Sequence, residues 1–147
     1  MERFNVLLVD DEGEFLDTLV KRIQKRNVNA KGVKSGEEAL AFLEKNPVDV
    51  VVLDVRMPGM DGMELMRRAK DVDPDLPIVM ITGYAEIHGA VKAIKAGAHD
   101  YLSKPFDNQE VVRVIHRALS ERDLKRKLKE LSNRLQENLP LKETMGP

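Results

Sequence analysis

The sequence predicts an α/β domain built on a doubly wound parallel sheet, and three observations carry that expectation. Short aliphatic runs rich in β-branched residues recur at Val6-Leu7-Leu8-Val9, Val50-Val51-Val52-Leu53 and Ile78-Val79-Met80-Ile81, the pattern of strands buried on both faces. Apolar stripes at helical spacing lie between them. Strand and helix then alternate, five times over, to about residue 119.

The elements follow in order. After Val6–Val9, residues Phe15, Leu16, Leu19, Val20 and Ile23 line one face of a first helix. A weaker strand spans Val28 to Val33. The group Ser35-Gly36-Glu37-Glu38 is a helix cap, since a Ser hydroxyl can accept from an orphan backbone N–H, and Ala39, Leu40, Phe42 and Leu43 follow it. Leu65, Met66 and Ala69 mark a third helix after the Val50–Leu53 strand. Ala90, Val91, Ala93 and Ile94 mark a fourth that stops at Gly97, where a left-handed residue ends helices well. A short strand is expected at Ala98 to Leu102, then a fifth helix.

From Ser120 onward there are no strand-like runs. Leucines at 124, 128, 131 and 135 stand among Lys, Arg and Glu, so the fifth helix is expected to continue as a charged extension that stops near Pro140. The chain thus divides into a domain at 1–119 and a helical tail or linker at 120–147. A stable parallel coiled coil is poorly supported, because Lys127, Arg134, Lys125 and Ser132 flank the stripe without opposite-charge pairs. The tail's basic residues, Arg122 among them, alternate with acids and read as a solvated face.

Composition narrows the chemistry. The 147 residues contain no cysteine, which excludes disulfides, zinc-thiolate sites, iron-sulfur clusters and thiol nucleophiles. With 24 Lys plus Arg against 25 Asp plus Glu the chain is not a basic nucleic-acid binder as a whole, and no direct DNA binding is expected. No run approaches the roughly 20 apolar residues of a membrane span, and none fits a secretory signal, so a cytoplasmic protein is expected.

In an open parallel sheet, sites form beyond the C-terminal ends of the strands. There the first strand offers Asp10-Asp11-Glu12, the third Asp54, the fourth Thr82-Gly83 and the fifth Ser103-Lys104-Pro105. Carboxylates gathered at an apolar edge repel one another unless a cation intervenes. Mg²⁺ suits them, because it takes oxygen ligands and commonly uses one or two carboxylates beside a phosphate. Mn²⁺ can substitute. A lysine beside an Asp points to phosphoryl transfer, and Asp54, fixed by the preceding run, is the candidate nucleophile.

The motifs Leu7-Leu8-Val9-Asp10-Asp11-Glu12, Val52 to Gly62 with its Asp54 and Met57-Pro58-Gly59, Ile81-Thr82-Gly83 and Tyr101-Leu102-Ser103-Lys104-Pro105-Phe106 together resemble the receiver domain of two-component response regulators. The likeness covers about residues 3–119, and the stretch from Val79 to Phe106 resembles receivers attached to ATP-driven transcription activators. The resemblance implies a flavodoxin-like sheet of order 2-1-3-4-5 with five helices. It implies that Asp54 accepts a phosphoryl group from a sensor histidine kinase or phosphotransfer protein, with Mg²⁺ held by Asp11, Asp54 and the Arg56 carbonyl and by Asp10 through water. It further implies that Thr82 and Lys104 grip the phosphoryl oxygens, that Tyr101 is a rotamer switch, that the Lys104-Pro105 bond is cis, and that Arg56 and Tyr84 tune the phosphoryl lifetime. The face made by the fourth helix, fifth strand and fifth helix would then switch toward a downstream protein target. A homodimer through that face or the tail is compatible with this reading.

Two other readings stay open at this point. A Mg²⁺-dependent small-molecule phosphatase with an Asp nucleophile would usually carry it in an Asp-x-Asp motif on the first strand, whereas Asp54 follows the third. The other alternative to a stand-alone receiver with a helical tail is the N-terminal regulatory fragment of a larger transcription activator, whose phosphate-binding Gly-rich loop these residues do not include.

Overall fold

The computed structural model describes residues 4–57, 59–83, 91–92, 94–104 and 107–138. Five strands, β1(Phe4–Val9), β2(Val28–Val33), β3(Val50–Asp54), β4(Ile78–Gly83) and β5(Asp100–Lys104), form one parallel sheet. Its order is β2-β1-β3-β4-β5, the flavodoxin-like arrangement, with the direction of winding reversing between β1 and β3. Helices α1(Gly13–Gln24), α2(Gly36–Lys45), α3(Gly62–Val72) and α4(Asn108–Asn138) complete it. Of the fourth helix expected from the sequence, residues 91, 92, 94 and 95 are helical and most of the remainder lies outside the described residues. The long C-terminal helix is therefore α4 here. No helix among the described residues is long and apolar enough to cross a membrane.

Strand alternation sorts the core into two layers, because successive side chains point to opposite faces. Leu7, Val9, Val51 and Leu53 pack with α2 and α3 through Ala39, Leu43, Leu65, Met66 and Ala69. Val6, Leu8, Val50 and Val52 pack with α1 and α4 through Leu16, Leu19, Ile23, Val111, Ile115 and Ala118. Met57, Met60 and Met66 are buried in the first layer, with Met63 packed against it.

Local signals seat the helices. The Ser35 hydroxyl accepts from the Glu38 N–H at 3.1 Å, and the Asp61 carboxylate accepts from the Glu64 N–H at 2.9 Å, each satisfying an orphan donor of a first turn. Gly62 has a different task. A Cβ there would lie 2.7 Å from Val55 Cα and 2.8 Å from the Asp54 carbonyl oxygen, so only glycine lets α3 start this close to the end of β3. The Gly62 N–H donates to the Val55 carbonyl at 2.9 Å and closes the loop that follows Asp54.

The fifth strand runs two residues later than the Ala98–Leu102 expected from the sequence. Gly97 turns the chain at φ 118, Ala98 is buried, and the His99 N–H donates to the Ile78 carbonyl at 2.8 Å. Ladder pairing with β4 then begins at Val79 opposite Asp100.

The helix after residue 119 is also held more firmly than a solvated tail. Arg122 is only 8% exposed, donating to Asp73 Oδ2 at 2.6 Å and to the Asp75 carbonyl at 3.2 Å. Arg126 reaches Asp49 Oδ1 at 3.3 Å, Lys129 lies 3.9 Å from Asp75, and the His99 imidazole meets the Glu121 carboxylate. Asp49, Asp73 and Asp75 stand just before β3 and β4, so these contacts clamp α4 to the sheet edge opposite the C-terminal strand ends. Burial opposes charge on Asp73, but the hydrogen bond and charge of Arg122 outweigh it and hold its carboxyl below the ordinary value of 3.8. The stability this supplies is present above that value and is lost as pH falls through the depressed pKa. Arg122→Met should therefore cost about 2 kcal/mol at pH 7, from a partly buried carboxylate left unpaired. Urea denaturation checks this, and the difference from wild type should shrink as the pH drops below 3.8.

Candidate functional site

The C-terminal ends of β1 and β3 meet at the point where the winding reverses, and a side chain from β5 reaches them across β4. Asp10 follows β1 without leaving the sheet, since its N–H still donates to the Val33 carbonyl at 3.1 Å, and it is 2% exposed. Its Oδ1 accepts from the Glu12 N–H at 2.9 Å, an Asx turn that folds Glu12 back toward the strand ends. Asp54 is the last residue of β3 and is buried. Its Oδ1 accepts from the Arg56 N–H at 3.0 Å.

Lys104 enters from β5. Its Nζ lies 3.3 Å from Asp54 Oδ2, 3.4 Å from Asp10 Oδ2 and 3.7 Å from Glu12 Oε1. It also sits 4.5 Å from the centre of the Phe15 ring, on the first turn of α1. Thr82, on β4, is 3% exposed and stands one residue beyond Ile81, the ladder partner of Asp54.

The charges are unequal. Burial raises the Asp10 pKa above 3.8 and the Asp54 charge adds to this, against the Glu12 N–H and the Lys104 ammonium. Burial also works against the Lys104 charge, yet Asp10, Asp54 and Glu12 together outweigh it and raise its pKa above 10.5. The asymmetry has a simple cause: the ammonium collects three carboxylates, whereas each carboxylate receives a share of one ammonium.

The residues fit a hard divalent ion. One oxygen each from Asp10, Glu12 and Asp54 lies within 4.8 Å of the others, an all-oxygen set with a net negative charge, suited to Mg²⁺ or Mn²⁺. Two of these acids are buried and Glu12 is exposed.

Of the residues singled out from the sequence, the structure brings together Asp10, Asp54 and Lys104, with Thr82 on the adjoining strand. Asp11 is exposed and stands outside the carboxylate trio, where Glu12 takes the third place. Arg56 is exposed, with its N–H on Asp54. Tyr101 is 43% exposed on β5. Tyr84 and Pro105, and with Pro105 the expected cis bond after Lys104, lie outside the described residues. Sequence reasoning missed Phe15 as a neighbour of Lys104. The helical stripe placed it on an apolar face, and nothing in the pattern showed that this face ends beside an ammonium.

Burial makes Asp10 harder to ionise than an ordinary carboxyl, even with Lys104 beside it. A carboxyl with a raised native pKa binds its proton more tightly folded than unfolded, so its contribution to stability falls as pH rises from 3.8 through the raised value. Asp10→Asn, which keeps the acceptor for the Glu12 N–H, should then stabilise the metal-free protein at pH 7 by about 1 kcal/mol. It should also weaken Mg²⁺ binding by roughly tenfold or more. Thermal unfolding with and without Mg²⁺ reads both effects.

Comparison with known proteins agrees with this geometry. Residues 6–116 match the family model "Response regulator receiver domain". The C4-dicarboxylate transport transcriptional regulatory protein DctD of Rhizobium meliloti is 36% identical over 140 residues, 93% of this chain and 30% of its own. The DNA-binding transcriptional regulator NtrC of Salmonella typhimurium is 38% identical over 120 residues, 82% of this chain and 26% of its own. The chain thus spans less than a third of these relatives. Among solved structures, NtrX from Brucella abortus in complex with ADP superposes at a TM-score of 0.85 with 32% identity, covering 88% of this chain and 30% of that one. A receiver domain protein from Clostridium thermocellum superposes at 0.78 with 30% identity, covering 82% of this chain and 98% of its own. A carboxylate trio at the winding reversal, a lysine from β5 and a family match over most of the domain converge on one conclusion: the chain belongs to the response regulator receiver domain family.

Proposed function

We propose that Asp54 is the phosphoacceptor of this receiver and that phosphorylation switches the face made by the fourth helix expected from the sequence, β5 and the C-terminal helix α4. As a receiver the chain is a signalling switch whose only catalysis is of its own phosphorylation and dephosphorylation, and its family pairs it with a sensor histidine kinase or phosphotransfer protein. The observation that carries the assignment is the division of labour at the Asp54 carboxylate. Oδ1 is tied to the Arg56 N–H, while Oδ2 faces the Lys104 ammonium.

In the proposed reaction a carboxylate oxygen of Asp54 attacks the phosphorus of a phosphohistidine. The phosphorus–nitrogen bond breaks and the imidazole leaves with the electron pair. Lys104 balances charge on a phosphoryl oxygen, and the Thr82 hydroxyl donates to another. Mg²⁺, when bound, neutralises the remaining phosphoryl charge. Asp10, Glu12 and Asp54 are the residues placed to hold it, with Asp11 and the Arg56 carbonyl as the further ligands we propose. Water later cleaves the acyl phosphate, returning Asp54 and inorganic phosphate. Arg56 and Tyr84 are assigned to tuning that step.

Tyr101 supports the switch reading by its position: it stands on β5 beside the β4 strand that carries Thr82, and it is half-exposed. Thr82 moving toward the phosphate would free space for the tyrosine to turn inward. We take residues 1–119 as the switching unit and 120–147 as the tail that leads to an output. DctD and NtrC are named as transcriptional regulators, and a comparable output, attached or separate, is the reading we favour here.

With Mg²⁺ and a small acyl phosphate, the wild-type chain should take up about one phosphoryl group and Asp54→Asn none. Continued labelling of the variant would overturn the assignment. Thr82→Ala should still label but lose the tyrosine response. The chain has two tyrosines and no tryptophan, so in a Tyr84→Phe background tyrosine fluorescence reports Tyr101 alone. Multiple turnover of an external phosphoester would favour the phosphatase reading instead.

A further inference from the structure

A cavity of about 180 Å³ opens at the sheet edge opposite the phosphoryl site, where α3, the turns before β4 and β5, and α4 meet. Lys70, Gly97, His99, Glu121, Arg122 and Lys125 line it, together with residues 74–77. Two nitrogens of these side chains are buried without a partner among the described residues. The terminal nitrogens of Arg122 donate to Asp73 and to the Asp75 carbonyl, but its Nε–H donates to nothing. The His99 ring turns Nε2 to Glu121 and leaves Nδ1 unpaired. Buried polar atoms are normally satisfied, so two orphans lining one cavity mark a place for a ligand.

Charge decides its class. Each carboxylate at the cavity is already answered: Asp73 Oδ2 takes Arg122 at 2.6 Å, Glu121 takes His99, and Asp75 lies 3.9 Å from Lys129. Lys70 and Lys125 are left over, since neither makes an ion pair among the described residues. The Lys70 stem packs over Gly97, its Cε 3.6 Å from where a Cβ would stand. Burial lowers the Lys70 pKa below 10.5, and the Lys125 charge lowers it further, against Asp73 and Asp75. The two ammoniums repel across the cavity, and an anion between them would relieve both. Water is a weaker fit. At roughly 30 Å³ each several waters would fill the space, and one could accept from Arg122, but none offsets the two charges. A tetrahedral oxyanion offers acceptors in several directions, which suits donors arriving from both α3 and α4.

We propose that this cavity binds a small phosphate-type oxyanion, with the Lys70 and Lys125 ammoniums and the Arg122 Nε–H as its donors. The bound anion fastens α3 to α4 beside the Arg122 clamp, so the seating of α4 depends on the anion's concentration.

The test titrates the 147-residue chain with inorganic phosphate and, in parallel, with glycerol phosphate. Ionic strength is held constant, and EDTA keeps divalent ions from bridging phosphate to Asp54. Heteronuclear NMR should show the Arg122 Nε–H and the Gly97 and His99 amides shifting together and saturating at one anion per chain. The tighter-binding anion identifies the natural ligand as free phosphate or a phosphate ester. Lys70→Gln with Lys125→Gln should weaken binding by about tenfold or more. Lys45→Gln with Lys127→Gln removes the same charge outside the cavity and should leave affinity within about twofold. Phosphate should also raise the thermal midpoint of wild type more than that of the Lys70 and Lys125 double variant, which separates binding from the general stabilising effect of excluded salts. Circular dichroism verifies that both variants fold. Shifts that grow without saturating, shifts confined to Asp10, Asp54 and Lys104, or unchanged affinity in the Lys70 and Lys125 double variant would overturn the proposal.

Discussion

The Lys104 ammonium is the interaction on which the site depends. It comes from β5, an edge strand, and has to reach Asp54 on β3 and Asp10 after β1, with β4 lying between. Strand register makes that reach available. Gly83 pairs with Lys104 and Ile81 with Asp54, so the lysine is carried two ladder positions past the acceptor. A slip of one residue in β5 would turn its side chain to the opposite face of the sheet. The register of β5 against β4, with Gly83 opposite Lys104, is therefore what places the ammonium beside the acids.

One ammonium among three carboxylates leaves a deficit of positive charge, and burial makes the deficit consequential. Asp10 is held in a protein-lined position where ionisation is disfavoured, yet its Oδ1 is committed to the Glu12 N–H and its Oδ2 to Lys104. Such a site gains from any further cation, and a phosphoryl group arriving with a divalent ion meets an edge already arranged to share charge over several oxygens. The Phe15 ring adds no charge but packs against the ammonium, 4.5 Å from it. The rigidity comes from below: Asp54 ends a strand buried at every position, and Gly62 lets α3 close directly on its carbonyl.

The sheet and most helices were legible because their signals are local and periodic. Aliphatic runs fix strands buried on both faces, and Ser35 announced α2 through a hydrogen bond that spans only three residues. The positions of Asp54 and Lys104 were legible for the same reason, from the residue type standing where a strand must end. The choice among Asp10, Asp11 and Glu12 was not legible. It depends on whether the chain leaves the sheet after Val9 or one residue later, and the hydrogen bond from Asp10 to Val33 that decides this joins residues distant in sequence. The clamp on α4 was hidden likewise. Arg122 sits in a run of alternating charges that reads as solvated, and only the fold brings Asp73 beneath it.

The clamp and the phosphoryl site occupy opposite edges of one sheet, which constrains how they can communicate. Asp49 precedes β3 and Asp54 ends it, so five strand steps, roughly 16 Å, separate them. That strand is buried along its whole length and paired on both sides, so it is a fixed frame and a poor conduit for motion. Arg126 binding Asp49 therefore anchors α4 to the same rigid element that carries Asp54. In the proposed switch, movement that begins at Thr82 would take a different route, across β4 to Tyr101 and β5, and from there to the first turns of α4 packed on the second layer through Val111 and Ile115. A helix pinned at its far contacts and pushed near its start pivots about the clamp instead of sliding past it. In the proposed switch, such a pivot would change the direction in which α4 leaves the domain.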